Sequence, residues 1–422
     1  MNGTKIQKVI GHQIFDSRGI PTVSAEIMLE SGIKAWACVP SGASTGKHEA
    51  IELRDNGNTY SGKGVSKALG NINTKINDII RGLDVSNQSE IDYTMIKFDG
   101  TENKSKLGAN AILAVSLACA KAAAKVFKMD LYKYLGGINS CVLPVPMMNI
   151  LNGGAHADNN VEIQEFMIFP SGAKSFNEAM QMGTEIYSQL KALLKSQGLS
   201  TAVGDEGGFA PTLEKDEQAL ELITDAIEKA GYRAGKDVFI CLDVAAGEWN
   251  DGNNGYKFPK KNQIVKIDEL FSYYKTLVEK YPIISIEDPF SDDDFDNFSK
   301  FQKELGHKIQ IVGDDLFVTN AKRLKKGIAL KSGNAILIKP NQIGTLTETL
   351  DTIRLAQRSG YRTIVSHRSG ETEDTSIADI AVATNSGQIK SGAPSRSERV
   401  CKYNRLLQIE NKLGNFSKYG EE

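Results

Sequence analysis

Six ionisable residues, Asp243, Glu287, Asp314, Lys339, His367 and Lys390, each stand at or just past the C-terminal end of a short apolar run. The runs are VFICLDVA, IISIEDP, IQIVGDD, AILIKPN, RTIVSHRSG and SGQIKSGAP. Charged residues often do no more than bound a strand. A succession of them builds a charged ring if the strands lie side by side. Asp243, Glu287 and Asp314 supply hard oxygen donors, a set that suits magnesium, which keeps some positions for water or substrate. No Cys or His belongs to the trio, which argues against zinc. Without a cation, three carboxylates facing one another would repel strongly.

Lys339 and Lys390 would share that ring. A lysine beside a second cation and a metal is expected to have its pKa depressed, and a neutral lysine can act as a general base near neutral pH. Pro340 pushes Lys339 towards extended backbone, which suits a strand end. Taken singly, either lysine reads as a surface residue. Gly204-Asp205-Glu206-Gly207-Gly208 sets carboxylates among glycines that allow close backbone approach to a ligand. Such a loop could present a general acid opposite the lysines; the same string also reads as a plain turn. His367, Arg368 and Ser369 together suggest a phosphate clamp. His156, after Gly153-Gly154-Ala155, suggests a mobile loop. His12, His48 and His307 read as structural or surface residues.

Nucleotide-binding motifs are excluded. The string SGASTGKH over residues 41–48 has Ser41 and His48 where a phosphate-binding P-loop needs Gly and Ser or Thr. A lid of small residues fits it better. Gly62-Lys63-Gly64 lacks the third glycine of a dinucleotide-binding turn.

The elements that must position these residues follow from pattern. From Asp237 onward, buried runs alternate with amphipathic segments such as KIDELFSYYKTLVEKY and TLTETLDTIRLAQRSG. Thr345 and Glu348 stand at capping-box spacing at the start of the second. Buried strands alternating with helices predict a parallel α/β sheet or barrel, whose chemistry gathers at the strands' C-terminal ends. Residues 6–40 read as three short strands turning at Ser17-Arg18-Gly19 and Glu30-Ser31-Gly32. Ala109 to Lys128 reads as a buried helix rich in Ala and Leu. Gly136-Gly137 stops that pattern, which divides the chain into residues 1–136 and 137–422. Asp292, Asp293 and Asp294 read as a solvated helix cap.

The bulk numbers agree. A chain of 422 residues accommodates one small domain and one barrel. It is 41% apolar and 24% charged, an ordinary globular composition. A net charge of -2 gives no footprint for direct nucleic-acid binding. An anionic substrate would therefore need local positive charge or a metal. Five scattered cysteines without a CxxC pair argue against a disulfide framework and fit a reducing cytoplasm. The opening residues hold no apolar signal region. The most apolar stretch, Ala111 to Ala120, reads as too short for a membrane span.

Taken in order, FDSRG, PSGASTG, HADNN, QEFMI, GDEGGFAP, SIEDP, GDDLFVTN, NQIGTLTET, SHRSGET and SGAPSRSER resemble the signature segments of the enolase family, over nearly the whole chain. The resemblance implies an α/β fold: a modified (β/α)8 barrel with one antiparallel early strand, preceded by a smaller α+β N-terminal domain. It implies reversible dehydration of 2-phosphoglycerate to phosphoenolpyruvate, with Lys339 as the base and Glu206 as the acid. Asp243, Glu287 and Asp314 would ligate a tightly held magnesium ion, and Ser41 a second that arrives with substrate. His156, Glu165, Arg368, Ser369 and Lys390 would surround the substrate together with Glu287, Asp314 and Lys339, and His367 would line the pocket. A homodimer or octamer is implied, and the compact length looks more like bacterial enolases. Second roles at the cell surface or after export, in plasminogen binding or RNA-degradation assemblies, are associated with the family. Ile20 and Gly247 stand where Asn and Ser are usual. Another lyase or racemase of the superfamily would share the metal trio and a lysine base, but should lack the SHRS and SGAST segments.

Overall fold

A computed structural model describes residues 3–42, 46–250 and 255–420. The tip of the expected lid, residues 43–45, lies outside the described residues.

The N-terminal strands form as the pattern predicts: β1 (Ile6–Phe15), β2 (Pro21–Leu29) and β3 (Lys34–Cys38), an antiparallel sheet in that order. Asp16 closes the first turn, its carboxylate accepting the backbone N–H groups of Arg18 and Ile20, both at 2.9 Å. Ile20 is thus accommodated through its backbone, which any residue supplies. Helix Ala109–Val126 packs against β2 and β3. Nearly every side chain on it is buried, and its alanines let it approach the sheet closely. This 18-residue helix corrects the reading of Ala111 to Ala120: by length and composition it would suffice for a bilayer. Its apolar surface is instead covered inside the fold, which accounts for its composition. The Ser116 hydroxyl accepts the Leu346 N–H at 3.0 Å, so the helix also touches the C-terminal region.

Eight strands then close a barrel. They are β4 (Val145–Asn152), β5 (Glu165–Phe169), β6 (Phe239–Asp243), β7 (Ile283–Glu287), β8 (Gln310–Gly313), β9 (Ala335–Ile338), β10 (Arg362–Ser366) and β11 (Gly387–Lys390), which returns to β4. All neighbours are parallel except that β5 runs antiparallel to β4 and β6, the early reversed strand the resemblance implies. The last six strands are those read from the apolar runs. Val145, Met147, Met167, Phe169, Cys241, Val312, Ala335, Leu337 and Ile364 fill the interior as a packed core.

Helices read from periodicity also form, at Ile267–Lys280 and Leu346–Arg358. Thr345 caps the second by accepting the Glu348 N–H at 3.2 Å, and its hydroxyl donates to the Glu348 carboxylate at 2.6 Å. Asp294 caps helix Phe295–Leu305 as expected, accepting from the Asn297 N–H. Asp293 instead pairs with His48, Lys47 and Arg323, joining the N-terminal loop to the barrel.

Candidate active site

Strand register brings the ionisable residues to one rim. Asp243, the last residue of β6, pairs with Glu287, the last of β7, and with Glu165, the first of β5. Because β5 runs backwards, its first residue reaches the rim where its parallel neighbours end. Ser366 and Lys390 pair at the ends of β10 and β11. Asp314, Lys339 and His367 follow directly on β8, β9 and β10. A cavity of about 210 Å³ opens there, lined by His156, Glu165, Glu206, Asp243, Asp314, Lys339, His367, Arg368, Ser369 and Lys390 among others. Glu287 lies beside it, buried against Lys390.

The buried Lys390 ammonium lies 2.8 Å from Asp243 Oδ2, 3.0 Å from both oxygens of Glu287 and 3.3 Å from Glu165 Oε1. Lys339 pairs with Asp314 Oδ2. Burial, the largest single influence, works to lower both lysines, but Asp314 and Glu287 together raise Lys339, and Asp243, Glu165 and Glu287 together raise Lys390. Both therefore stand above the ordinary lysine value. These directions belong to the metal-free site, where carboxylates press on each ammonium; the depression is expected beside a metal as well as a second cation.

Sequence reasoning missed two acids. Asp288 and Asp315 follow Glu287 and Asp314 directly, and their oxygens lie with Asp314's within 4.8 Å of one another. Among the described residues that set groups tightly, whereas Asp243, Glu287 and Asp314 are spaced around the two lysines. Asp288 accepts the N–H groups of Asp314 and Asp315 at 2.9 and 2.8 Å, so it holds the turn that aims Asp314. Burial and repulsion by Asp314 push Asp315 up to about 7. Doubled acids at two strand ends, ED and DD, were the available signal.

Glu206 is buried, 2% exposed, in the glycine loop. Gly207 has φ +87°, a conformation that a side chain would strain, so the loop needs glycine there. The Ala393 N–H donates to the Glu206 carbonyl and the Asn149 amide to its carboxylate, at 2.9 and 3.1 Å. His367 Nε2 stands 3.4 Å from Glu206 Oε2. His156 Nδ1 lies 3.6 Å from Glu165 and 3.8 Å from Glu206. Burial and the Glu206 charge raise Glu165 well above the ordinary carboxylate value. Of the two neighbouring carboxyls, Glu165 is thus the more basic.

Arg368 is not free-standing as a phosphate clamp: its guanidinium grips Glu49 through two bonds of 3.0 and 3.1 Å and reaches Asn341 at 3.1 Å. Ser41, an expected ligand, also lies outside the cavity wall. Its hydroxyl donates to Glu52 at 3.1 Å and accepts from Arg54 at 2.9 Å, and its backbone bridges Gly370.

The residues present fit a hard divalent cation. The donors are oxygens, they are buried, and carboxylates outnumber cationic side chains in the cavity wall. A closed barrel with such a rim defines an enzyme that works on a small polar molecule. Residues 6–135 match the family model for the enolase N-terminal domain, and residues 140–422 match that for the enolase C-terminal TIM barrel domain. The chain therefore belongs to the enolase family, which typically binds magnesium, and it carries acidic clusters that could hold a metal ion.

Proposed function

We propose that this chain reversibly dehydrates 2-phospho-D-glycerate to phosphoenolpyruvate. The observation that carries the reading is the placement of Lys339 and Glu206. Lys339 follows β9, while Glu206 is held by β4 and faces Glu165 on β5, across the barrel in strand order. A substrate between them meets a base on one face and an acid on the other, which favours anti elimination.

The Asp314 carboxylate that keeps Lys339 protonated would be neutralised by a cation it held, and Lys339 in its neutral form takes the C2 proton of the substrate. Electron density then moves onto the substrate carboxylate, where the Lys390 ammonium is positioned to stabilise it. Glu206 hands a proton to the departing hydroxyl at C3, with Glu165 and His156 beside it as the source and path. Arg368 and Ser369 face the phosphate. Two magnesium ions would be held by Asp243, Glu287 and Asp314 and, for the second, by Ser41; when bound they supply positive charge to the substrate carboxylate. The five cysteines are free, in keeping with a cytoplasmic enzyme. A homo-oligomer is expected.

The test is ultraviolet absorbance of the enol product on mixing purified protein, 2-phosphoglycerate and magnesium. A rise that EDTA abolishes supports the reading. A folded, magnesium-loaded protein that gives no rise, yet turns over another carboxylate, would replace it with a sister lyase or racemase.

A further inference from the structure

His367 faces Glu206 on one side, and on the other its Nδ1 lies 2.7 Å from Arg399 NH1. A guanidinium has only donors and stays protonated. Nδ1 must therefore be the acceptor, and in a neutral ring the proton then sits on Nε2, the nitrogen turned towards Glu206 Oε2. We propose that Arg399 is a positioning residue that fixes His367 in the Nε2–H tautomer, so that the ring presents its proton to Glu206. The claim that this tautomer serves catalysis rests on the dehydration reading; the tautomer itself does not.

Three further observations support the assignment. Arg399 is fully buried on helix Ser397–Leu413; its other hydrogen bonds are to the backbone carbonyls of Arg368, Ser369 and Asp205, and its Nε lies 3.4 Å from Glu398 Oε1. One side chain thus ties the loop that carries Glu206 to the segment that carries His367. Gly392, with φ +74°, leaves room for it, since a Cβ there would lie 2.9 Å from Arg399 Cδ. Burial, joined by the Arg399 charge, holds His367 down at about 4 although Glu206 opposes this, so the ring is neutral at neutral pH. A neutral ring donates to Glu206 without setting a full positive charge beside it. An imidazolium beside it would pin it as a carboxylate.

Multiple-bond proton–nitrogen NMR on protein labelled with 15N-histidine reads the tautomer directly. The chain has five histidines, and His367→Gln identifies the signal. The wild type should show a neutral Nε2–H ring; an Nδ1–H ring overturns the proposal whether or not any Arg399 variant folds. Arg399→Met, checked by circular dichroism, should show mixed tautomers, and Arg399→Lys, which keeps a donor, should restore the wild-type signal in part. A folded Arg399→Met protein that keeps a single Nε2–H ring also overturns it. With 2-phosphoglycerate, kcat of Arg399→Met should fall about 10²-fold, the lower end of what one acid–base group contributes, with little change in KM. A wild type that shows the Nε2–H ring but no turnover counts against the dehydration reading alone.

Discussion

Lys390 Nζ lies 3.0 Å from both carboxylate oxygens of Glu287, so a single ammonium closes the gap between β7 and β11 across the rim. The same group reaches Asp243 and Glu165, and these buried acids depend on it in the absence of metal. Removing one partner of a buried pair costs about 3–5 kcal/mol, because the charge left behind is uncompensated. Lys390→Met should therefore melt well below the wild type without metal. Magnesium should raise its melting temperature by more than it raises that of the wild type, since the cation can take over part of the ammonium's work. Equal rises in calorimetric melts would show that the acids do not form a cation site.

Lys339→Ala should lower turnover by about 10²- to 10⁴-fold, the range that a general base supplies. Folding should change little, because Asp314 keeps its 2.9 Å bond from Gln342. Steady-state product absorbance together with a thermal melt checks both parts, and near-normal kcat would remove Lys339 from the role of base.

Glu206→Gln should block dehydration while exchange of the C2 proton with deuterated solvent continues. The two steps use opposite sides of the cavity, and only the second needs the acid. Proton NMR of 2-phosphoglycerate incubated with the variant reads the exchange. Loss of both would mean that Glu206 also shapes binding or proton abstraction.

A closed circuit of hydrogen bonds holds the base and its acidic partner together. The Lys339 N–H donates to Thr319 Oγ1 at 2.8 Å, and the Thr319 hydroxyl donates to Gln342 Oε1 at 2.8 Å. The Gln342 amide donates to Asp314 Oδ1, and Asp314 Oδ2 meets the Lys339 ammonium. Gln342→Leu leaves a buried hydroxyl and a carboxylate oxygen without their partner, which costs about 1–3 kcal/mol. It should also weaken magnesium binding by roughly 10- to 100-fold, as loss of a residue that orients a metal ligand does. Calorimetric titration with magnesium measures this, and an unchanged affinity would show that Asp314 needs no orientation from Gln342.

The buried His367 gives stability a definite pH slope. Its folded value of about 4 lies below the usual histidine value near 6.5. The folded protein therefore binds fewer protons than the unfolded chain between these values. The contribution is fully present above about 6.5 and is lost as pH falls to 4, at up to about 1.4 kcal/mol per pH unit. Melting temperatures of the metal-free wild type should fall more steeply over that window than those of His367→Gln. Parallel slopes would place the ring in a solvated setting.

Some of the site was legible because strands are local patterns. Six apolar runs, each closed by an ionisable residue, are visible one at a time, and a barrel that sets parallel strands side by side turns their ends into a ring. The first two barrel strands were not read this way. Met147, Met148 and Pro146 make a weak strand signal in β4, and Glu165 opens its strand instead of closing it, so its place on the rim depends on the reversal of β5. Family resemblance alone placed Glu165 and His156 at the site, whereas the glycine-flanked loop itself offers its carboxylates, Glu206 among them, as a possible acid.

By itself, then, the sequence determined the N-terminal strands, the last six barrel strands with the ionisable residues at their ends, and the family resemblance. Tertiary structure alone decided which charge meets which. Lys390 sits among three acids, Arg368 grips Glu49 from a distant loop, and Arg399 reaches His367 from a helix that follows the last barrel strand. The division has one physical reason. Periodicity and capping act between residues a few positions apart in the chain, whereas proton affinity and the orientation of a ring are set through space by neighbours that only the closed barrel brings together.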